Sequence, residues 1–176
     1  MYVGQKISFD KTHKNRLYYF FLDNNFKSNS NESLDQIITH LDSTIENEDL
    51  SFLNDSLSHT SRAVREVITE MIRLDYFPTL PSRFECLYGS NSLEGILEWK
   101  ELFESYNRDI IQIVKLETTG PIFKGNAAFL PSLENSSFLE KINQAKEYWS
   151  SPAENHLTEV LIGGEILVAE IIEDFQ

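Results

Sequence analysis

The chain has 176 residues, enough for one ordinary domain that buries roughly 70% of the surface its unfolded form exposes. Its 28 acidic and 15 basic residues give a net charge of −13, which repels the phosphate backbone of long nucleic acids. No apolar run is long enough to cross a bilayer, and the first residues lack the pattern of a secretory signal. We therefore expect a cytoplasmic protein of one domain, residues 1–176, with neither a membrane nor long nucleic acid as its partner.

The cysteine and histidine content limits the chemistry of the chain. The single cysteine, Cys86, excludes an internal disulfide, and its apolar neighbours Phe84 and Leu87 favour a buried thiol over a nucleophile. His13, His40 and His59 have no Cys or His partner at metal-ligand spacing, and His156 and Glu159 point to opposite faces of the predicted strand. The sequence therefore predicts no metal site.

Two strands open the predicted fold, over residues 5–9 and 16–22, because both segments are rich in β-branched or aromatic residues. A polar segment over residues 24–33 predicts a surface loop. A capping box that begins at Ser33 then introduces apolar residues at helical spacing as far as Leu41, which predicts an amphipathic helix.

A longer helix is predicted from about residue 61 to residue 75. One apolar stripe faces inward in this interpretation, and charged residues such as Glu66 face solvent. Pro78 and Pro81 end the helix, because proline cannot continue it. A strand over residues 83–89 follows.

The second half of the chain contains further strands and helices. A helix is predicted from about Ser92, and residues 109–117 form a strand whose apolar character on both faces predicts a central position in a sheet. Residues 118–126 are predicted to turn the chain, and another helix spans about 136–149. Strands at both ends with helices between them favour an α+β fold with mixed or antiparallel sheets and flanking helices.

The last predicted element is a C-terminal β-hairpin over residues 156–173, with Gly163-Gly164 as its turn. In that register Glu159 shares a face with apolar residues such as Leu161 and Ile166. The simplest interpretation places this carboxylate at the solvated end of the strand. The alternatives are an ion pair, or a raised pKa that suits an acid-base or ligand-polarising role.

Several segments carry a resemblance to a known family. They read LPSRFECLYGS, EWKELF, IVKLETTGPIFKGN, AKEYW and TEVLIGGEILVAEI. With them the chain resembles a bacterial family known as domain of unknown function 2441, over most of its length from Gly4 onward. The resemblance implies an ADP-ribosyltransferase-like fold.

The same resemblance implies a role for the carboxylate near the C-terminus. Glu159-Val160-Leu161-Ile162 looks like the strand that carries the catalytic glutamate in several ADP-ribosylating enzymes. Such a carboxylate hydrogen-bonds the nicotinamide ribose of NAD and stabilises the positive charge that develops as nicotinamide departs. The resemblance further implies NAD-binding roles for Arg83, Tyr88 and Ser90, of which Ser90 would meet a ribose.

Three functions remain open at this point. The first is an enzyme that uses NAD, with Glu159 as its catalytic residue. The second is a non-catalytic binding or regulatory module of the same fold, with a small nucleotide-like ligand or a protein partner and no NAD chemistry. It is favoured by Leu157, which stands where related toxins place a glutamine or glutamate. The third is an acidic interaction protein that contacts its partner through residues 24–60.

Overall fold

The computed structural model of the protein describes residues 1–23, 47–105, 108–133, 136–151 and 158–175. The loop predicted over residues 24–33, the helix predicted from Ser33, the first part of the predicted contact region 24–60, and Leu157 lie outside the described residues. The described elements, in chain order, are β1 (Lys6–Phe9), α1 (Arg16–Phe21), α2 (Asn47–Tyr76), β2 (Leu87–Gly89), α3 (Leu93–Ser105), β3 (Gln112–Thr118), β4 (Ile122–Asn126), a short 3-10 helix (Ala127–Phe129), α4 (Phe138–Ser150), β5 (Thr158–Ile162) and β6 (Gly164–Asp174).

The strands form two three-stranded antiparallel sheets. One has the order β1-β6-β3 and the other the order β2-β5-β4, so β6 and β5 are the central strands. The expected combination of helices with antiparallel sheets is therefore confirmed. The helices predicted from about Ser92 and over 136–149 are also confirmed, as α3 and α4.

The predicted C-terminal β-hairpin is wrong, because β5 and β6 belong to different sheets. Ile162 pairs with Leu87 and Ile122, whereas Glu165 pairs with Ser8. Gly163-Gly164 carries the chain from one sheet into the other, and Gly164 has a φ of 75°, a conformation that favours glycine. The two glycines therefore make a crossing between sheets and not a tight turn.

A second crossing between the sheets runs beside the first. The segment between β3 and β4 contains Gly120, which lies so close to the other crossing that a Cβ atom would stand 2.1 Å from the carbonyl oxygen of Gly163. The amide of Gly163 donates a hydrogen bond to the carbonyl of Pro121 at 2.9 Å. The turn predicted over residues 118–126 is therefore only a short bend, because most of that segment is β4.

The strand predicted over residues 109–117 is present as β3, but its predicted central position is wrong. Among the described strands, β3 pairs with β6 alone, so it lies at the edge of its sheet. Its register shifts between Ile113 and Val114, which interrupts the alternation of side chains. The apolar run therefore marks an irregular strand and not one buried on both faces.

The strand predicted over residues 16–22 is wrong, because this segment forms α1. Asn15 caps the helix: its Oδ1 accepts hydrogen bonds from the amides of Leu17 at 3.0 Å and Tyr18 at 3.4 Å. Its Nδ2 donates to the carbonyls of Arg83 at 2.7 Å and Cys86 at 3.0 Å. A capping residue anchored by distant parts of the chain thus overrides the strand propensity of the aromatic run.

The boundaries of two further elements differ from their predicted values. α2 begins at Asn47 and not near residue 61, although it ends at Tyr76, close to the predicted end. The strand predicted over residues 83–89 is shorter in the structure, where it is β2, because the amide of Glu85 donates a hydrogen bond to the carbonyl of Ser82 at 3.1 Å and closes a turn there.

None of the helices in the described ranges has both the length and the apolar character that a bilayer crossing requires.

Two apolar clusters form the core on the two faces of the β2-β5-β4 sheet. The cluster between this sheet and helices α2 and α4 contains Ile68, Ile72, Cys86, Phe123, Ala145, Tyr148, Trp149 and Leu161. The cluster between the two sheets contains Val160, Ile162 and Ile166 with Ile7, Phe9, Leu87 and Leu116 around them. Cys86 is buried, as predicted.

Candidate functional site

Glu159 lies inside the protein, on the face of β5 that packs against the helices. It is opposite Gly125 of β4, and side-chain alternation places it on the same face as Leu161. Only 7% of the residue is exposed. The interpretation that places Glu159 at a solvated strand end is therefore wrong, and the ion-paired alternative applies.

Arg83 is the cation that pairs with this carboxylate. Its Nη1 donates hydrogen bonds to Oε1 of Glu159 and, at 2.8 Å, to the hydroxyl of Tyr148. Its Nε donates to Oε2 of Glu66 at 2.7 Å, and Nη2 donates to Oε1 of Glu66 at 3.4 Å. Arg83 is 3% exposed, so its guanidinium bridges two carboxylates away from bulk water.

Tyr148 completes the hold on Glu159. Its hydroxyl donates a hydrogen bond to Oε1, the oxygen that also accepts a hydrogen bond from Nη1 of Arg83. None of the described residues donates a hydrogen bond to Oε2 of Glu159, and Oε2 is not among the fully buried oxygens without a partner. One oxygen of Glu159 is thus fixed by the protein, and the other has no hydrogen-bond donor among the described residues.

Tyr88 joins this cluster, whereas Ser90 stands beside it. The rings of Tyr88 and Tyr148 lie with their centroids 5.3 Å and 5.2 Å from Cζ of Arg83. The hydroxyl of Tyr88 donates to the carbonyl of Arg83 at 3.0 Å. Ser90 follows β2, packs near Gly95 of α3, and makes no hydrogen bond with Arg83, Tyr88 or Glu159. The structure thus brings together three of the four predicted residues.

Gly125 provides the space in which Tyr148 reaches Glu159. A Cβ atom on Gly125 would lie 2.7 Å from Cε2 and 2.8 Å from Cζ of the Tyr148 ring. It would also lie 2.7 Å from Cε1 of Phe123. Both aromatic rings therefore pack against bare backbone at the point of β4 that pairs with Glu159.

The charges of the cluster stabilise one another. Burial alone would lower the pKa of Arg83, but the adjacent carboxylates of Glu159 and Glu66 raise it well above its ordinary value. Burial opposes ionisation of Glu66, yet the adjacent guanidinium of Arg83 outweighs it and lowers the pKa of Glu66. Arg65 adds a second cation, with Nη2 3.2 Å from Oε1 of Glu66. Two cations therefore balance two carboxylates.

The lowered pKa of Glu66 predicts a loss of stability in acid. A carboxyl group whose pKa is lower in the folded state stabilises the fold above its unfolded pKa, about 4.3, and this stabilisation disappears as the pH falls through the folded pKa. We expect the difference in unfolding free energy between the wild type and Glu66→Gln to be constant above about pH 5 and to shrink below about pH 4. Urea unfolding across this range measures it. Glu165→Gln, at an exposed carboxylate, is the control, and an equal pH dependence in both variants would contradict the prediction.

Cys86 lies beside the cluster, and its thiol is predicted to be inert. Burial raises the pKa of Cys86 to about 12. Because only the thiolate reacts, we expect maleimide labelling of the folded protein near neutral pH to be roughly a thousandfold slower than labelling in urea. Mass spectrometry of timed samples measures both rates. Equal rates in the folded and unfolded protein would contradict the prediction.

Two members of the cluster, Glu66 and Tyr148, are absent from the residues predicted from sequence. The helical pattern assigns Glu66 to the solvent face of α2, yet it is 1% exposed. Tyr148 lies within the apolar pattern of α4, and that pattern alone indicates an ordinary aromatic residue of the core. A buried charge within a helix depends on a distant partner, here Arg83, and helical periodicity contains no information about such partners.

The protein also contains a cavity of about 850 Å³ between α2 and α4, and none of Arg83, Tyr88, Ser90 and Glu159 lines it. Within the described ranges, no three His, Cys, Asp or Glu side chains come together in a way that could hold a metal ion. The Glu159 cluster and the cavity are therefore two separate regions to which a function can be assigned.

Comparison with known proteins gives the family. No curated protein matches the chain at a significant level. The model of a family described as a protein of unknown function, DUF2441, matches residues 1–174. The match spans all but the last two residues, so the chain belongs to the DUF2441 family.

Proposed function

We propose that the protein is an ADP-ribosyltransferase-like module that binds NAD or an ADP-ribose-like ligand at Glu159. The observation that carries the proposal is the unequal state of the two carboxylate oxygens. Oε1 is held by Arg83 and Tyr148, whereas Oε2 has no donor among the described residues. A ribose hydroxyl that donates to Oε2 would find an acceptor already fixed in place, which lowers the entropic cost of binding.

The other predicted residues divide into two roles in this proposal. Arg83 and Tyr88 position Glu159, because the Arg83 guanidinium is buried between two carboxylates and the Tyr88 hydroxyl is bonded to the Arg83 backbone. Ser90 is assigned to the ligand. It directly follows Gly89, whose partner in β5 is Val160, the residue after Glu159.

A specific observation favours a non-catalytic module over an enzyme. A catalytic carboxylate stabilises positive charge on the sugar ring through its own negative charge. The Arg83 guanidinium touches this carboxylate and offsets its field at the ligand. The second candidate function is therefore a binding or regulatory module of the same architecture that performs no NAD chemistry.

Calorimetry with NAD and with ADP-ribose tests the proposal. We expect both ligands to bind the wild type, and Glu159→Gln to weaken binding by at least about tenfold, because a hydrogen bond to a charged group contributes about 1.5–3 kcal/mol. Glu165→Gln is the matched control, since it removes an exposed carboxylate from the next strand. Circular dichroism checks that each variant is folded.

Nicotinamide release separates the two candidate functions. Release that depends on Glu159 would identify an enzyme, and binding without release would identify the non-catalytic module. Failure of the folded wild type to bind either ligand would overturn the proposal.

A further inference from the structure

The cavity between α2 and α4 has the size and chemistry of a ligand site. Its volume of about 850 Å³ falls in the range of small-molecule pockets, and most of its lining is apolar. The apolar lining includes Val64, Val67, Met71 and Ile72 of α2 and Phe138 and Ile142 of α4. Met71 is 58% exposed and Phe138 is 67% exposed, although both belong to apolar stripes that favour burial.

The cavity extends along much of α2. Its lining on this helix runs from His59 to Tyr76, which corresponds to roughly 25 Å at the rise of an α-helix. The positions recur at helical spacing, so one continuous apolar stripe borders the cavity. An extended aliphatic body would contact this stripe along its length.

A cation stands where this stripe ends. The ammonium of Lys146 lies 4.7 Å from the centre of the Tyr76 ring, at the last turn of α2. Among the described carboxylates, none forms an ion pair with Lys146, although Asp75 lines the same cavity. His59 is engaged elsewhere, with Nε2 2.8 Å from the carbonyl oxygen of Phe20. Lys146 is therefore the group that can complement an anion.

We propose that this cavity binds an amphiphilic carboxylate of the fatty-acid type. The aliphatic body lies along the α2 stripe, and the carboxylate pairs with Lys146. Burial of the body supplies most of the affinity, because each methylene group removed from water adds to the free energy of binding. Lys146 selects the charged end, in a protein whose net charge of −13 otherwise repels anions. This site does not depend on Glu159 or on the binding of NAD.

Calorimetric titration of the full chain with dodecanoic acid and with dodecanol tests the proposal. We expect saturable binding of both, with the acid bound more tightly by the wild type. Lys146→Gln should weaken binding of the acid by roughly five- to tenfold, because a half-exposed charge pair is modest in strength, and Asp75→Asn should strengthen it by a few-fold. Neither substitution should change the affinity for dodecanol. Met71→Lys should abolish binding of both molecules, because it places a charge against the aliphatic body.

Lys115→Gln is the matched control, since it removes an exposed lysine from β3, a strand that does not line the cavity. It should leave both affinities unchanged. The proposal is overturned if the acid does not bind saturably, if Lys146→Gln and Lys115→Gln have the same effect, or if Met71→Lys still binds. It is also overturned if the acid fails to bind and the wild type forms a dimer that Met71→Lys dissociates, because the cavity would then be an interface between two copies of the chain.

Discussion

Replacing Arg83 with methionine is expected to lower the free energy of unfolding by about 3–5 kcal/mol, because it leaves the buried carboxylates of Glu66 and Glu159 without their shared cation. Methionine keeps much of the volume of the arginine stem, so the loss reports on charge more than on packing. Urea unfolding at neutral pH measures the change. Arg62→Met is the matched control, since Arg62 is an exposed residue of α2, and we expect it to change stability by less than about 0.5 kcal/mol.

A triple variant separates the loss of charge balance from the loss of contacts. If unpaired carboxylates cause the destabilisation of Arg83→Met, adding Glu66→Gln and Glu159→Gln should recover part of the lost stability. A triple variant that is less stable than Arg83→Met would contradict this explanation. In that case the contacts of the guanidinium with the rings of Tyr88 and Tyr148 would be the main contribution.

Gly120→Ala is expected to destabilise the protein by about 3 kcal/mol or more, because overpacking against rigid backbone forces the main chain to move. The added methyl group would stand 2.1 Å from the carbonyl oxygen of Gly163 and 3.2 Å from Cα of Gly164. No side-chain rotation relieves such a contact.

Gly89→Ala is the control for this substitution. Its added Cβ would meet only Cδ1 of Ile162, at 3.4 Å, which is an ordinary contact with a side chain that can move. Thermal or urea unfolding of both variants tests the comparison. Equal losses of stability would mean that the close approach of Gly120 to the crossing does not control the fold.

The sequence predicts the helices of the second half well, because their apolar residues recur at helical spacing. It fails where two distant segments decide the local structure. Residues 16–21 have the composition of a strand, but Asn15 caps them as a helix through bonds to Arg83 and Cys86. Neither bond can be inferred from the local sequence.

The two glycines after β5 show the same limit more strongly. Two glycines between apolar runs, as at Gly163-Gly164, predict a hairpin. The same local sequence is equally compatible with a crossing from one sheet to another. The choice depends on β1, β2, β3 and β4, which occupy both sides of the two strands and leave no edge at which β5 and β6 could pair.

The candidate site was predictable in part. The resemblance to a family marks Glu159, Arg83 and Tyr88, and the structure joins all three in one cluster. Glu66 and Tyr148 come from helices α2 and α4, and Gly125 contributes only the absence of a side chain. A residue that acts by leaving space has no chemical signature in a sequence.

Gly163 joins β5 directly to β6, and this connection couples the unfolding of the two sheets. One continuous stretch, Thr158 to Asp174, supplies the middle strand of both sheets. If β5 or β6 detaches from its sheet, the strand joined to it is displaced as well. We therefore expect the two sheets to unfold as one cooperative unit. Native-state hydrogen exchange should accordingly give the amides of Leu161 and Val168 the same opening free energy, equal to that of global unfolding.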